Sequence, residues 1–145
     1  MARALFIGSD HAGYELKQSL MHHLSKQYFI QDLGCFSKDS VDYPDYAHKV
    51  AELVAETPDA VGILICGSGI GMSIVANKVR GVRAACCESL QTAVLSRQHN
   101  NANIICLGER IISETLALEM VKAWLTTSFE GGRHEKRIKK IQELE

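Results

Sequence analysis

Residues 61–73 read Val-Gly-Ile-Leu-Ile-Cys-Gly-Ser-Gly-Ile-Gly-Met-Ser, an apolar run that delivers the Cys66 thiol to the mouth of a glycine loop. The run 61–66 has the pattern of a buried parallel strand, and the apolar spacing of Ile74, Val75 and Val79 predicts a helix beyond Ser73. Between them Gly67, Gly69 and Gly71 let the N–H groups of Gly67, Ser68, Gly69, Ile70 and Gly71 converge on one point. The helix N-terminus adds partial positive charge there. A cysteine in that setting serves as a base or nucleophile, because the thiolate is its reactive form. Two other glycine loops are excluded. A P-loop needs Gly-Lys-Ser/Thr, whereas Met72 and Ser73 follow Gly71, and a dinucleotide fingerprint needs a third glycine where Met72 stands. The plain alternative is a tight strand-to-helix turn with a small core cysteine.

The elements that must hold this loop follow from the rest of the pattern. Strands are expected at 4–9, 29–33, 61–66, 84–87 and 104–107. Helices are expected at 13–27, where Leu16, Leu20 and Leu24 share a stripe, and at 46–56, where Ala47, Val50, Ala51 and Val54 do. Others are expected at 73–78, 90–99, 113–126 and 135–144. Strands alternating with helices imply an α/β fold, a parallel sheet with helices on both faces. Ligands then bind beyond the carboxyl ends of the strands. That edge gathers Asp10 and His11 after the first strand, Cys66 to Gly71 after the third, and Gly108-Glu109-Arg110 after the fifth. A carboxylate, an imidazole, a thiol, an anion loop and a guanidinium so assembled are hard to assign to chance.

Composition narrows the class. The 145 residues are 46% apolar and 23% charged with a formal net charge of −1, which predicts a single globular domain over 1–145 and gives no general reason to bind nucleic acid or an anionic membrane. No apolar run approaches the ~20 residues of a membrane span, and a cytoplasmic protein is expected. Cysteines 35, 66, 86, 87 and 106 form no Cys-x-x-Cys pair and are expected as free thiols; Cys86, Cys87 and Cys106 lie in apolar runs and are expected to be packing residues.

Two further clusters carry charge. In Arg97-Gln-His-Asn-Asn101, His99 is either a helix cap or a proton carrier. Behind Gly131-Gly132, Arg133 and Arg137 lie four apart at a helix start, either as a solvated basic face or as a bidentate phosphate site. The helix they begin has an apolar stripe of Ile138, Ile141 and Leu144, which needs cover from its own subunit or a partner.

Taken together, Gly8-Ser-Asp-His-Ala-Gly13, Asp42-Tyr-Pro44, Ile65-Cys-Gly-Ser-Gly-Ile-Gly-Met-Ser73, Ala76-Asn-Lys78, Ser96-Arg-Gln-His-Asn100 and Glu130-Gly-Gly-Arg-His134 resemble the ribose-5-phosphate isomerase B family, from the first strand to the last helix. The resemblance implies a three-layer α/β/α Rossmann-like domain with a five-stranded parallel sheet, working as a homodimer or a dimer of dimers with shared active sites and no metal or organic cofactor. It implies interconversion of ribose 5-phosphate and ribulose 5-phosphate through an enediolate, in the non-oxidative branch of the pentose phosphate pathway. Carried over position by position, Cys66 is the base between C2 and C1, and the N–H groups from Gly67 to Gly71, Ile70 included, hold the enediolate oxygens. Ser68 relays a proton between O1 and O2. His99 assisted by Asp10 opens the furanose ring. His11, Arg110, Arg133 and Arg137 bind the phosphate, Asn100 the sugar, and Tyr43 walls the pocket. Members without the cysteine carry a glutamate where this chain has Met72, so the resemblance is to the thiol branch; Ser68 stands where others have threonine. The same scaffold serves allose 6-phosphate and galactose 6-phosphate, and a non-catalytic sugar-phosphate binding module is the alternative from another class.

Overall fold

The computed structural model describes residues 3–145. Five strands, β1 Leu5–Ser9, β2 Ile30–Asp32, β3 Val61–Cys66, β4 Ala84–Cys86 and β5 Ile104–Gly108, pair in parallel in the order β2-β1-β3-β5-β4. Four helices connect them, α1 Tyr14–Leu24, α2 Tyr43–Glu56, α3 Ile70–Ala76 and α4 Leu90–Gln98, and two follow β5, α5 Glu114–Thr126 and α6 Arg133–Glu143. The expected α/β class with a five-stranded parallel sheet is therefore observed.

The three central strands are buried on both faces, as unbroken apolar runs require. Alternation along them divides the core. Leu5, Ile7, Ile63, Ile65, Ile105 and Leu107 meet Leu16, Leu20 and Leu24 of α1 and Met120 and Trp124 of α5 on one face. Phe6, Leu64, Cys66, Ile104 and Cys106 meet Val50, Ala51 and Val54 of α2 and Met72 and Ala76 of α3 on the other. The result is three layers.

Several boundaries differ from those expected, each for a local reason. The first helix opens with a 3₁₀ turn, His11–Gly13, because the Asp10 carboxylate accepts the N–H groups of Ala12 and Gly13 at 2.9 and 3.1 Å. α2 begins at Tyr43, three residues early, with Pro44 in its first turn, where a missing N–H costs nothing. α3 spans Ile70–Ala76 rather than 73–78, starting straight from left-handed Gly69. α6 starts at Arg133. β4 ends at Cys86, which is exposed rather than packed, since this short strand lies at the sheet edge.

Sequence periodicity missed Lys17. Its side chain is 0% exposed and reaches Asp32 of β2 at 2.7 Å, with the ammonium 5.3 and 5.4 Å from the rings of Tyr14 and Phe36. Neutralising Asp32 leaves the fully buried Lys17 ammonium unmatched, whereas removing Lys17 leaves the Asp32 carboxylate, which is 19% exposed and still accepts the Gly34 N–H at 2.9 Å. Asp32→Asn should therefore lower unfolding free energy by about 3 kcal/mol, while Lys17→Met stays within about 1 kcal/mol of the parent. Urea denaturation of both variants checks this, and equal losses would refute the buried-charge account.

Candidate active site

The connections set the place of the cleft. From β1 the chain crosses to β2 on one side, and from β3 it crosses toward β4 on the other, so β1 and β3 are neighbours whose connections diverge. Beyond their carboxyl ends a crevice must open. A cavity of about 630 Å³ lies there, lined by Asp10, His11, Tyr43, Cys66 to Ser68, Ile70, Gly71 and Arg110. A larger cavity of about 940 Å³ runs between the 77–85 segment and the end of α6 but holds no thiol or imidazole, so chemistry rather than volume assigns the site.

Cys66 ends β3 with 5% of its surface exposed, and the Gly69 N–H donates to its Sγ at 3.1 Å. Gly69 has φ +81°, and a Cβ there would stand 3.0 Å from the Leu107 carbonyl carbon, so only glycine turns the chain back on the sulfur. Ile70 N–H donates to Ser68 Oγ at 3.2 Å, which leaves the Ser68 hydroxyl hydrogen free to donate. The N–H groups of Gly67, Ser68 and Gly71 find no acceptor among the described residues and remain for a ligand. A Cβ on Gly71 would fall 2.5 Å from the Tyr43 ring, so the glycine lets that ring close one wall.

The other cleft residues are held from behind. Glu109 N–H and Arg110 N–H donate to the carbonyls of Cys66 and Gly67 at 2.9 and 3.1 Å, which sets Arg110 beside the loop. Glu109 itself turns away, its carboxylate accepting the Leu16 N–H. His11 Nδ1 accepts the Val41 N–H at 3.2 Å, so the proton sits on Nε2, which suits donation to an anion.

Not every expected residue is here. α4 runs back beneath the sheet, and His99 caps its C-terminus before the chain enters β5. The ladder from Gly62↔Ile104 to Cys66↔Gly108 separates the two sheet edges by about 13 Å at 3.3 Å per residue. His99, Asn100, Arg133 and Arg137 thus lie at the edge opposite Cys66, and one chain does not bring Asp10 to His99.

Glu130 and His134, residues without an expected role, join His99 at this edge. The His99 and His134 rings stack with centroids 4.3 Å apart and planes 15° apart, and one Glu130 oxygen lies 3.7 and 3.5 Å from their Nε2 atoms. Burial, then the neighbouring charges of His99 and Arg133, pull the His134 imidazole below its usual value. The Glu130-Gly-Gly-Arg-His134 string carried the signal, since Glu130 and His134 are four apart. These three side chains bring ligand atoms within 4.8 Å of one another. The near-parallel rings cannot share one ion in both planes, and nearby arginines repel it, so the cluster reads as a shared-carboxylate imidazole pair.

A doubly wound sheet with a thiol, a donor loop and an arginine at its switch point defines an α/β protein that handles a small anionic substrate. Residues 5–141 match the family described as Ribose/Galactose Isomerase. Ribose-5-phosphate isomerase B of Escherichia coli K12 is 42% identical over 144 residues, covering 99% of this chain and 97% of its own. Among solved structures, ribose-5-phosphate isomerase B of Clostridium thermocellum superposes with a TM-score of 0.95 at 49% identity, covering 97% of this chain and 96% of that one. That of Mycoplasma genitalium with bound ribulose-5-phosphate gives 0.95 at 44%, covering 99% and 97%. The chain belongs to the Ribose/Galactose Isomerase family.

Thiol surroundings yield a labelling test. Burial, with Glu88 and Cys66 nearby, pushes the Cys86 thiol up despite its exposure, and burial does the same to Cys87 and Cys106. Iodoacetamide should therefore inactivate through Cys66, with substrate protecting. Cys86→Ser should keep the inactivation rate within twofold (about 0.4 kcal/mol of barrier). Peptide mapping that finds inactivation tracking Cys86 with Cys66 unmodified would reverse the assignment.

Proposed function

We propose that residues 1–145 form one isomerase domain that interconverts D-ribose 5-phosphate and D-ribulose 5-phosphate. The observation that carries this is Cys66 held between unpaired loop N–H groups and the His11 and Arg110 side chains in one cleft. The Cys66 thiolate takes the C2 proton, the electron pair moves to the carbonyl, and the loop N–H groups stabilise the enediolate; the proton then returns at C1. Donors aimed at charge that exists only along the reaction path supply about 3–4 kcal/mol each in comparable sites. Ser68 carries the proton between O1 and O2 with its free hydroxyl hydrogen. His11 and Arg110 hold the phosphate, and Tyr43 covers the sugar. Support for the pentose comes from the named relatives, and a binding module alone has no use for a thiol in the cleft.

The remaining ligands come from a second copy. Two-fold pairing sets His99, Asn100, Arg133 and Arg137 of one subunit over the cleft of the other, and each interface then makes two sites. His99, backed by His134 and Glu130 and facing Asp10 across subunits, opens the furanose ring. Ile141 and Leu144 are 44% and 87% exposed, an unburied end of the α6 stripe that fits cover by a partner. Among the described residues no helix is long and apolar enough to cross a membrane. The five free thiols suit a reducing compartment, and we assign the reaction to the cytoplasm.

A coupled assay on ribose, allose and galactose phosphates tests the substrate. Turnover on ribose 5-phosphate should exceed the hexose phosphates by at least about tenfold in kcat/KM, a difference of about 1.4 kcal/mol. Preference for a hexose would move the assignment within the family, and no turnover on any would favour the binding module.

Sharing is tested by complementation. Cys66→Ala and Arg133→Ala/Arg137→Ala are each expected to be inactive; after subunit exchange, activity should return to about a quarter of the parent, because half the dimers are mixed and each has one intact site. Inactive heterodimers of demonstrated composition would show that the arginines act within their own chain.

A further inference from the structure

The amino edge of the sheet has a cavity of its own, of about 580 Å³, formed by the segments that lead into β1, β3, β4 and β5. Three arginines line it: Arg3, Arg83 and Arg97. Arg97 is 5% exposed. Its Nε donates to the Thr127 carbonyl at 3.2 Å, and its Nη1 to Asn101 Oδ1 and the Ala102 carbonyl at 2.9 and 2.6 Å. Its Nη2 has no protein acceptor among the described residues. Arg83 gives Nε and Nη2 to the carbonyls of Asn100 and Asn101, leaving Nη1 likewise open. Arg3 is exposed at the rim.

No ion pair joins any of the three to a carboxylate among the described residues. Asp59 lines the same cavity without reaching ion-pair distance of them. Buried charges are ordinarily paired, and neutral carbonyls supply hydrogen bonds without a counter-charge. Beyond burial, the charges of Arg3 and Arg83 pull Arg97 down, while burial lowers Arg83 against the charge of Glu145, which lies beyond ion-pair distance. Clamping the end of α4 explains three of the five Arg97 N–H donors. It does not explain why two more arginines line the same cavity with no ion pair to a carboxylate among the described residues.

We propose that this cavity is a second oxyanion site, distinct from the catalytic cleft, that takes inorganic phosphate or the phosphate of a small phosphomonoester on Arg3, Arg83 and Arg97. A tetrahedral dianion offers acceptors to several guanidinium groups at once, and the planar fork of arginine suits it. The bound anion would tie the lead into β1 to the end of α4, two residues from His99, and so stiffen the segment that carries the proposed ring-opening imidazole.

Equilibrium dialysis of the full-length protein against radiolabelled inorganic phosphate tests it, in an Arg110→Gln background that weakens the cleft's own phosphate hold. One phosphate per chain should remain. Adding Arg3→Glu, an exposed change that disturbs no packing, should weaken it at least about tenfold, and Arg83→Gln should do likewise. The proposal fails if Arg110→Gln alone abolishes phosphate binding, or if both added variants bind as the background does. Phenyl phosphate in a second arm separates the sources: tighter binding than phosphate at the Arg3-dependent site assigns an ester, and equal binding assigns the free ion.

Discussion

The parallel pairing of β1 with β3 is the constraint from which the rest follows. Leu5 to Ser9 lie in register with Val61 to Ile65, yet the chain leaves the two strands in opposite directions. No crossover covers the space above their carboxyl ends, so whatever residues come next in sequence face a crevice. After β1 those are Asp10 and His11, and at the end of β3 they are Cys66 and the glycine loop that follows it. Asp10 binds the two halves together: its N–H donates to the Ile65 carbonyl at 3.2 Å while its carboxylate caps the turn beneath. The chemistry of the cleft is thus a consequence of connectivity, with side-chain identity supplied where the backbone had already made room.

Much of this was legible because the informative signals are local. Three central strands appear in the sequence as unbroken apolar runs, and left-handed Gly69 announces itself by residue type and spacing. Helix ends were less legible, since they depend on capping contacts such as the Asp10 carboxylate and on tolerance for Pro44 in a first turn. Lys17 was not legible for a different reason. Its position continues the buried face of α1, and only β2 pairing beside β1 brings Asp32 to meet it. The placement of His99 relative to Cys66 was beyond any local signal, because it depends on α4 running antiparallel to the strands. A residue at a helix C-terminus in this fold lies at the edge opposite a residue at a strand C-terminus.

That last rule explains why the polar residues divide into two groups. Cys66, His11 and Arg110 follow strands, whereas His99 and Asn100 follow a helix, and the stacked His134 fixes the start of α6 beside them. An α/β layer has no internal route for bringing its two edges together. Two-fold symmetry provides one without further chain, since one surface patch laid on another yields two complete sites for each interface. In the proposed dimer, pairing of subunits would complete the site rather than be added to a finished enzyme.

The same reasoning accounts for why one thiol among Cys66, Cys86, Cys87 and Cys106 is suited to act. Burial pushes the Cys87 and Cys106 thiols up, in Cys87 against the opposing effect of the Thr92 and Ser96 hydroxyls. Cys86 is exposed at the edge strand, yet Glu88 and Cys66 add negative charge to its partial burial and raise it too. Cys66 alone receives a backbone N–H, from a glycine that no other residue could replace at that angle. Its neighbours Gly67, Ser68 and Gly71 leave further N–H groups unpaired toward the same space. What distinguishes this cysteine is therefore the backbone around it, and a hydroxyl or thiol grafted elsewhere on the sheet would find no comparable set of donors.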